Sequence, residues 1–281
     1  MSGKILVIGA TGAVGSRVRA GLERRGEAVV AASRRPPVSE GTTRWVALDL
    51  ERPEGFAAAL DGVDRAFLIA RPGDDRADLL AAPLIAALQR AGVGRVVDLS
   101  AMGAQLQGAT ALRKIELQIE GAGLEFTHLR PNWFMQVFAG GPLLPGLRRG
   151  VLALPAADAK ISYVDAQDIA DVAVAALCEP GHVGRAYTLT GPAALDHAEV
   201  AATLADASGT PIRYVPLDED AARGLFASAD LSPARVERLI GFYRLVRAGW
   251  CAPVSDAIPV VLGRPARNFA RFAREHARCW T

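Results

Sequence analysis

Lysine, cysteine and long apolar runs are all scarce in this sequence. Lysine supplies only three of the 32 basic residues, and the remainder are arginine. The three cysteines are far apart and form no Cys-x-x-Cys pair, and the four histidines lack the spacing of metal ligands. Both observations argue against a metal site and favour free thiols in a reducing cytosol. No apolar stretch reaches the ~20 residues that a bilayer-spanning helix needs, so we expect a cytoplasmic protein that does not bind membranes.

The charges are almost balanced, with 32 basic and 30 acidic residues and a net charge of +2. Such a surface has no strong field to attract nucleic acid or an anionic membrane. Hydrophobic residues make up 51% and charged residues 22%, the proportions of an ordinary folded protein, which excludes intrinsic disorder. We therefore expect a small-molecule substrate as the partner, bound by a monomer or a homodimer.

Strand and helix patterns alternate through the first two-thirds of the 281 residues. Short apolar runs predict strands over 5–8, 27–32, 44–48, 66–70, 95–99, 124–129 and 186–189. Helical spacing predicts helices between them, over 16–25, 56–60, 79–91, 110–121 and 167–177. Continuous apolar strands separated by helices indicate a parallel sheet covered on both faces, a doubly wound Rossmann fold of the α/β class.

The last part of the chain has a different pattern. Residues 132–150 are rich in glycine, proline and aromatic side chains without clear periodicity. Beyond residue 191 short helical patterns dominate, with one strand candidate over 212–215. We expect a Rossmann domain over 1–190, which includes a substrate-lining segment over about 132–160, and a smaller, mostly helical C-terminal lobe over 191–281.

A glycine-rich turn joins the first predicted strand to the first predicted helix. It reads Gly9-Ala-Thr-Gly-Ala-Val-Gly15, the glycine spacing that binds the pyrophosphate of a dinucleotide. The first glycine permits the tight turn, the second lets the backbone approach the phosphates, and the third allows the helix to pack closely on the strand. The helix N-terminus supplies oriented N–H donors. The expected cofactor ligands in this turn are Gly9, Thr11, Gly12, Ala13 and Val14.

The end of the second predicted strand indicates which dinucleotide binds. An NAD enzyme usually has Asp or Glu there for the ribose 2′-hydroxyl, whereas this strand ends in Ser33-Arg34-Arg35 without a carboxylate. An arginine at that point would pair with a 2′-phosphate and stack on adenine, so NADP(H) is the expected cofactor. The alternative is a solvated loop arginine. Asp49 and Leu50, after the third strand, are placed to reach the adenine edge or, alternatively, to cap a helix.

Motifs spread over nearly the whole chain resemble the NmrA-like group of atypical short-chain dehydrogenases and reductases. They include Gly9-Ala-Thr-Gly-Ala-Val-Gly15, Ser33-Arg34, Asp49-Leu50, Leu99-Ser-Ala101, Glu116, Leu129-Arg-Pro-Asn-Trp-Phe-Met135, Tyr163-Val-Asp165 and Gly263-Arg-Pro265. The resemblance implies an NAD(P)H-binding protein in which the glycine turn and the strand ends hold NADP(H). It also implies that the segment from Pro131 to Phe134 lies beside the nicotinamide. Ala70 and Pro131, at two strand ends, are therefore included among the expected cofactor ligands.

One departure from the family pattern concerns the chemistry. Standard reductases of the superfamily use Tyr-x-x-x-Lys, with tyrosine as the proton donor, and the corresponding residues here are Thr110 and Lys114. A threonine hydroxyl is far too weakly acidic to replace a phenol. We expect Lys114 to stabilise a developing oxyanion or to hold the nicotinamide ribose, with Ser100 as a second candidate donor. The alternatives are a solvated helix lysine and a serine that caps a strand end.

The sequence is compatible with two classes of function. The first is an NADPH-dependent oxidoreductase that reduces a small cyclic or aromatic carbonyl compound, a quinone, enone or ketone, for example as a tailoring step in secondary metabolism. Trp133, Phe134, Tyr163 and Tyr243 are the expected substrate-binding residues, unless they belong to the core. The second class is an NADP(H)-binding redox sensor or regulator without turnover. A non-redox tailoring enzyme, for coupling or isomerisation, is the remaining alternative.

Overall fold

The computed structural model describes residues 3–37, 43–70, 73–106, 110–229 and 231–281. In chain order, the strands are β1 (Lys4–Ile8), β2 (Val29–Ser33), β3 (Arg44–Ala47), β4 (Val63–Ile69), β5 (Arg95–Leu99), β6 (Glu125–Pro131), β7 (Val151–Leu154), β8 (Arg185–Leu189) and β9 (Arg213–Pro216). The α-helices are α1 (Gly15–Arg24), α2 (Phe56–Ala59), α3 (Ala77–Arg90), α4 (Ala111–Gly121), α5 (Leu144–Arg148), α6 (Ala166–Cys178), α7 (His197–Ser208), α8 (Glu219–Ser228), α9 (Pro233–Arg247), α10 (Ala257–Leu262) and α11 (Phe269–Glu275). Short 3₁₀ helices lie at Pro53–Gly55, Ala104–Leu106, Met135–Phe138, Gly141–Leu143 and Ala277–Cys279.

The contacts of the chain divide it into two compact units. The first contains Met1–Pro131, Ala166–Leu189 and Val260–Gly263, and the second contains Asn132–Asp165, Thr190–Pro259 and Arg264–Thr281. The segment 132–160, which the sequence groups with the Rossmann domain, thus belongs to the second unit. Its side chains Phe138 and Leu152 share one apolar core with Val200 and Ile240 of later helices. Burial of this common core between segments distant in sequence explains the grouping.

The first unit is built on a seven-stranded parallel sheet in the order β3-β2-β1-β4-β5-β6-β8. Side chains alternate between the two faces of each strand. On one face, Leu6 and Leu68 share a core with Leu84 of α3 and Ile119 of α4. α1 and α6 pack together, and α6 also contacts β4, β5 and β6, so helices cover the sheet on both faces. The predicted doubly wound α/β fold is confirmed.

Local sequence features determine where two of the helices begin and where one of them ends. The Thr110 hydroxyl oxygen accepts a hydrogen bond from the Arg113 N–H at 3.3 Å and caps the N-terminus of α4. Asp196 caps α7 in a capping box with Glu199. Gly209 caps the C-terminus of α7, and its φ of +68° is in the left-handed region that glycine adopts without strain.

The second unit contains a two-stranded parallel sheet of β7 and β9, in which Leu152 pairs with Tyr214. β9 lies one residue beyond the strand predicted over 212–215, whereas the sequence predicts no strand in the region of β7. The core of this unit includes Trp280, which is completely buried and whose indole N–H donates to the Phe138 carbonyl oxygen at 2.7 Å. Within the described ranges of the chain, no helix is both long enough and apolar enough to span a membrane.

Candidate functional site

The carboxyl ends of the parallel strands lie along one edge of the sheet, named here the carboxyl edge. The strand order reverses between β1 and β4, and such a switch point is where doubly wound sheets bind ligands. The residues at or directly after these strand ends are Gly9, Ser33, Leu48, Ala70, Ser100 and Pro131. The carboxyl edge therefore brings together most of the predicted cofactor residues of the first unit.

The glycine turn has the geometry that phosphate binding requires. Gly9 has a φ of +69°, and its carbonyl oxygen accepts a hydrogen bond from the Gly12 N–H at 2.8 Å. A Cβ atom at Gly15 would lie 2.2 Å from the Gly9 oxygen, so glycine is needed for α1 to approach this closely. Thr11 and Ala13 are exposed, and no acceptor in the described part of the chain pairs with their N–H groups. The turn thus presents unpaired donors at a helix N-terminus.

The end of β2 has the composition expected for a phosphate contact. The hydroxyl of Ser33 is buried, and it has no hydrogen-bond partner among the described residues. Arg34 and Arg35 follow it on the surface, and no carboxylate in the described ranges pairs with either guanidinium. Buried polar groups without a partner are rare in folded proteins, so a ligand at this strand end would account for the Ser33 hydroxyl. Val14, the residue before α1, is by contrast buried, and its side chain contributes packing.

The residues after β3 form a turn of their own. The Asp49 carboxylate accepts a hydrogen bond from the Glu51 N–H at 3.2 Å, and its carbonyl oxygen accepts one from the Arg52 N–H at 2.9 Å. Leu50 is half-buried and packs against the core of the first unit. These contacts favour the local, structural interpretation of Asp49. Ala70, at the end of β4, is buried at the carboxyl edge.

The residues at the Tyr-x-x-x-Lys spacing have partners that the sequence does not reveal. The Thr110 hydroxyl oxygen is the cap of α4 and accepts a hydrogen bond from the Arg113 N–H. The Lys114 ammonium lies 3.5 Å from the carboxylate of Asp78, in the first turn of α3. The side chain of Asp78 is buried, whereas that of Lys114 is half-exposed. The Lys114 ammonium is therefore paired with a buried carboxylate, and its side chain still has access to solvent.

A network of charged side chains joins α4 to β6. Glu116 on α4 is completely buried, and its two oxygens accept hydrogen bonds from the Arg130 guanidinium at 2.9 and 2.8 Å. Arg113 donates to the same carboxylate at 2.7 Å and to Glu120 at 3.0 Å. Burial raises the pKa of the Glu116 carboxyl, but the hydrogen bonds from Arg130 and Arg113 outweigh burial and lower that pKa to about 2. The Glu116 side chain is therefore ionised at neutral pH.

Ser100 lies directly after β5 and beside this network. It is buried, and its side chain is near enough to Glu116 to contribute to the low pKa of that carboxyl. Its hydroxyl has no hydrogen-bond partner among the described residues. The placement leaves Ser100 at the carboxyl edge, with a carboxylate as its neighbour.

His128 and Asp98 extend the network along the sheet. They face each other on β6 and β5, both are buried, and their side chains are hydrogen-bonded. Nε2 of His128 also lies 3.3 Å from Glu120. Burial lowers the pKa of His128, but the Asp98 carboxylate outweighs it and raises the pKa, which favours the charged imidazolium. Of this network, Glu116 and Arg130 have a signal in the sequence, as family motif residues, whereas Asp98 and His128 meet only through strand register.

Glu116, Glu120 and His128 each place one ligand atom within 4.8 Å of the others, close enough to share a metal ion. Their ion pairs with the two arginines and with Asp98 already balance the charges of this group. The group thus has an explanation as a salt-bridge network.

The predicted substrate residues lie in the second unit. Trp133 and Phe134 are half-buried, and the ring of Trp133 lies 5.2 Å from that of Tyr243, which is buried. Tyr163 is also buried, and its hydroxyl lies 2.9 Å from Nε2 of His197. These contacts favour a core role for Tyr163, whereas Trp133 and Phe134 keep exposed surface.

The carboxyl edge fits a bound dinucleotide. An exposed turn with unpaired N–H groups and a buried hydroxyl without a partner lie at the ends of the adjacent strands β1 and β2. A family model described as NAD(P)H-binding matches residues 9–180, which is more than half of the chain. The chain belongs to this NAD(P)H-binding family.

Curated relatives match this family member over almost its whole length. It is 36% identical over 283 positions to an NAD(P)H azoreductase of Xenophilus azovorans, with 97% of this chain and 98% of the relative covered. It is 35% identical over 291 positions to a (4-alkanoyl-5-oxo-2,5-dihydrofuran-3-yl)methyl phosphate reductase of Streptomyces griseus, with 98% and 99% covered. The predicted class, an NAD(P)H-dependent oxidoreductase, is confirmed.

Solved structures share the fold of this family member. A triphenylmethane reductase of Citrobacter sp., complexed with NADP(H), matches with a TM-score of 0.86 at 21% identity, covering 97% of this chain and 99% of that one. An NmrA variant matches with a TM-score of 0.76 at 16% identity, covering 98% and 95%. The fold that the NmrA-like resemblance implies is confirmed.

Proposed function

We propose that this protein is an NADPH-dependent reductase of a small, flat cyclic or aromatic carbonyl compound, such as a quinone, an enone or a ketone. The observation that carries the proposal is the set of residues at the carboxyl edge. The glycine turn with unpaired N–H groups and the pair Arg34 and Arg35 lie there, and the position four residues before Lys114 is the helix cap Thr110 and not a tyrosine. The named activities of the two curated relatives, both reductases, support the same reaction class.

Residues of the first unit would hold the cofactor. The N–H groups of the glycine turn suit the pyrophosphate, and the buried Ser33 hydroxyl with Arg34 and Arg35 suits the 2′-phosphate. The ends of β4 and β6, at Ala70 and Pro131, remain for the nicotinamide half. When bound, NADPH supplies a hydride, and the protein contributes orientation, charge and the exclusion of water.

The proton-donor position restricts the acceptor. Thr110 caps a helix, and its hydroxyl is too weak an acid to protonate an alkoxide. An acceptor that becomes a delocalised phenolate or enolate needs no strong acid, because water can protonate it. A simple ketone becomes a strongly basic alkoxide and does need a donor. Quinones and enones are therefore better substrates for this site than simple ketones.

Lys114 is the residue that we assign to stabilise the developing oxyanion. It lies on α4, the next α-helix after β5, and its side chain is half-exposed. Asp78, at 3.5 Å, pairs with the ammonium and offsets part of its field. Electrostatic stabilisation of this kind typically contributes about 3–4 kcal/mol, or a factor of about 10²–10³ in rate. Ser100 is the second candidate donor at this edge.

The substrate would contact aromatic residues of the second unit. Trp133 and Phe134 are half-buried and follow the end of β6 after Asn132, and the ring of Tyr243 lies 5.2 Å from that of Trp133. Flat aromatic surfaces suit a conjugated, planar acceptor. The Streptomyces relative is named for a dihydrofuranone phosphate, which supports a small oxygen-containing ring and a tailoring step as the context.

The test is NADPH oxidation against a panel of a quinone, an enone, a ketone and an azo dye. On the best acceptor, Lys114→Met should lower turnover by roughly two orders of magnitude while NADPH affinity changes only modestly. Lys160→Met is the matched control, because Lys160 is also half-exposed and is paired with Glu199 at 3.1 Å. Wild-type turnover in Lys114→Met would remove Lys114 from the mechanism.

A protein that binds NADPH but oxidises it with none of these acceptors would overturn the reductase proposal. In that case a sensor must bind NADPH and NADP⁺ differently in order to report them. Limited proteolysis with each cofactor form distinguishes this outcome, because a sensor should show two different cleavage patterns.

A further inference from the structure

Glu116 and Arg130 form a buried ion pair that makes no direct contribution to the proposed reaction. The Glu116 side chain has no exposed surface, and that of Arg130 is 13% exposed. Removing two charges from water is unfavourable, and such pairs often stabilise a fold no more than apolar residues of the same size. Stability alone therefore does not explain a buried ion pair at this place.

The ion pair links a helix to a strand end. Glu116 lies on α4, two residues after Lys114, and Arg130 lies in β6 directly before Pro131. Two nitrogens of the guanidinium donate to both carboxylate oxygens, at 2.9 and 2.8 Å. This bidentate arrangement fixes the relative direction of the two side chains as well as their distance.

Backbone hydrogen bonds connect the residues on either side of Arg130 to the turn after β5. The Ser100 N–H donates to the Leu129 carbonyl oxygen at 2.8 Å, and the Met102 N–H donates to that of Pro131 at 2.9 Å. The two acceptors stand on either side of Arg130 in the sequence. The position of the Arg130 backbone therefore determines where the turn after β5 lies.

We propose that Glu116 is a positioning residue, which keeps α4 at a fixed distance from the strand ends at Ser100 and Pro131. The inference rests on the proposed reductase function and adds to it a residue that touches neither substrate nor cofactor. The second half of a doubly wound sheet binds the second mononucleotide, so these strand ends are the ones nearest the reactive ring. A misplacement of about 1 Å at such a point can lower a rate roughly 100-fold.

Two variants of the pair and one control separate positioning from stability. Glu116→Gln keeps the shape of the side chain but removes its charge, and it leaves Arg130 buried without a counter-charge. The double variant Glu116→Met with Arg130→Met removes both charges and leaves no unpaired charge in the interior. It should therefore fold even if the single variant does not fold. Glu120→Gln is the control, because Glu120 lies on the same helix and contacts Arg113 at 3.0 Å without belonging to the Glu116–Arg130 pair.

The first measurement is amide hydrogen exchange in the cofactor-free protein. In the Glu116→Gln and double variants, the N–H groups of Ser100 and Met102 should exchange at least about tenfold faster, while those of β1 keep their protection. The control should change neither group. Equal acceleration in β1 would indicate a general loss of stability and would overturn the proposal.

The second measurement is single-turnover oxidation of NADPH by the best acceptor. Both variants of the pair should be roughly 100-fold slower, with a larger primary deuterium isotope effect, because hydride transfer itself is impaired. NADPH affinity by calorimetry should stay within about threefold, because the glycine turn and the end of β2 are untouched. A wild-type rate in both variants would overturn the proposal.

The two proposals fail in different ways. If the wild-type protein oxidises NADPH with no acceptor, the reductase function is refuted. The exchange measurement then still decides whether Glu116 holds the strand ends, since it needs neither cofactor nor substrate. Unchanged exchange at Ser100 and Met102 refutes the positioning role, whatever the activity of the wild-type protein.

Discussion

Removal of the Arg34 guanidinium should weaken NADPH binding and leave NADH binding unchanged. Arg34 is exposed directly after β2, beside the buried Ser33 hydroxyl, and it has no carboxylate partner in the described part of the chain. Arg34→Ala therefore breaks no ion pair of the folded protein. Substitutions at such surface positions usually change the free energy of unfolding by less than about 0.5 kcal/mol. Any larger effect of the variant must come from the ligand.

The expected loss follows from the kind of contact removed. A hydrogen bond between an arginine and a phosphate is charge-assisted and contributes about 1.5–3 kcal/mol. Since every 1.4 kcal/mol is a factor of ten, NADPH should bind about 10- to 150-fold more weakly. NADH has no 2′-phosphate, so its affinity should not change.

Calorimetric titration of both cofactors into Arg34→Ala, Arg35→Ala and the double variant provides the test. Arg90→Ala is the control, because Arg90 is an exposed arginine in the last turn of α3, away from the carboxyl edge. A loss in Arg35→Ala alone would make Arg35 the residue that reads the phosphate. Equal losses for NADPH and NADH, or no loss in the double variant, would refute the assignment of the 2′-phosphate to this strand end.

Further expectations concern the glycine turn and the buried histidine. Gly12→Val should abolish the NADPH binding that calorimetry measures, because the branched side chain blocks the phosphates. The protein should stay folded, because a Cβ at this position meets only the Gly9 oxygen, at 3.2 Å. Undiminished binding would refute the turn as the pyrophosphate site. Gly15→Ala places its Cβ 2.2 Å from the same oxygen, so the free energy of unfolding should fall by about 1–3 kcal/mol or more, and an unchanged melting temperature would contradict this packing. The folded-state pKa of His128 is raised by Asp98, so the stability from this ion pair is fully present below the unfolded pKa of about 6.5 and is lost as the pH rises through the folded pKa. The stability advantage of wild type over His128→Leu should therefore shrink as the pH rises above about 6.5, and a constant difference would rule out the coupling.

The first unit was largely predictable because its signals are local. The apolar run before Gly9 and the glycine spacing after it are enough to place β1, the turn and α1 within a residue or two. β4 is an instructive exception, since it begins at Val63 and not at residue 66. Its first three residues include Asp64 and Arg65, and these charged side chains interrupt the apolar pattern that predicts a strand. The Arg65 side chain forms an ion pair with Glu27 at 2.9 Å.

Features that depend on distant partners were not predictable. β7 is four residues long and pairs with β9, which is far along the chain, so no local pattern reveals it. In the same way, Lys114 was recognised by its spacing, but its partner Asp78 lies on another helix. Asp98 and His128 become neighbours only when β5 and β6 pair in register. The sequence therefore predicts which strand ends form the candidate site. It does not predict the ion pairs around the site, because these depend on tertiary packing.

The interrupted course of the first unit has a consequence for synthesis on the ribosome. α6 and β8 belong to this unit, but they come from Ala166–Leu189, after a segment that belongs to the second unit. α6 buries ten of its residues and packs on α1. A nascent chain that has emerged only to Pro131 thus lacks the helix that covers one face of β4, β5 and β6. At about 5–20 residues per second, the wait for Leu189 lasts on the order of several seconds, during which that apolar face is available to chaperones or to neighbouring nascent chains.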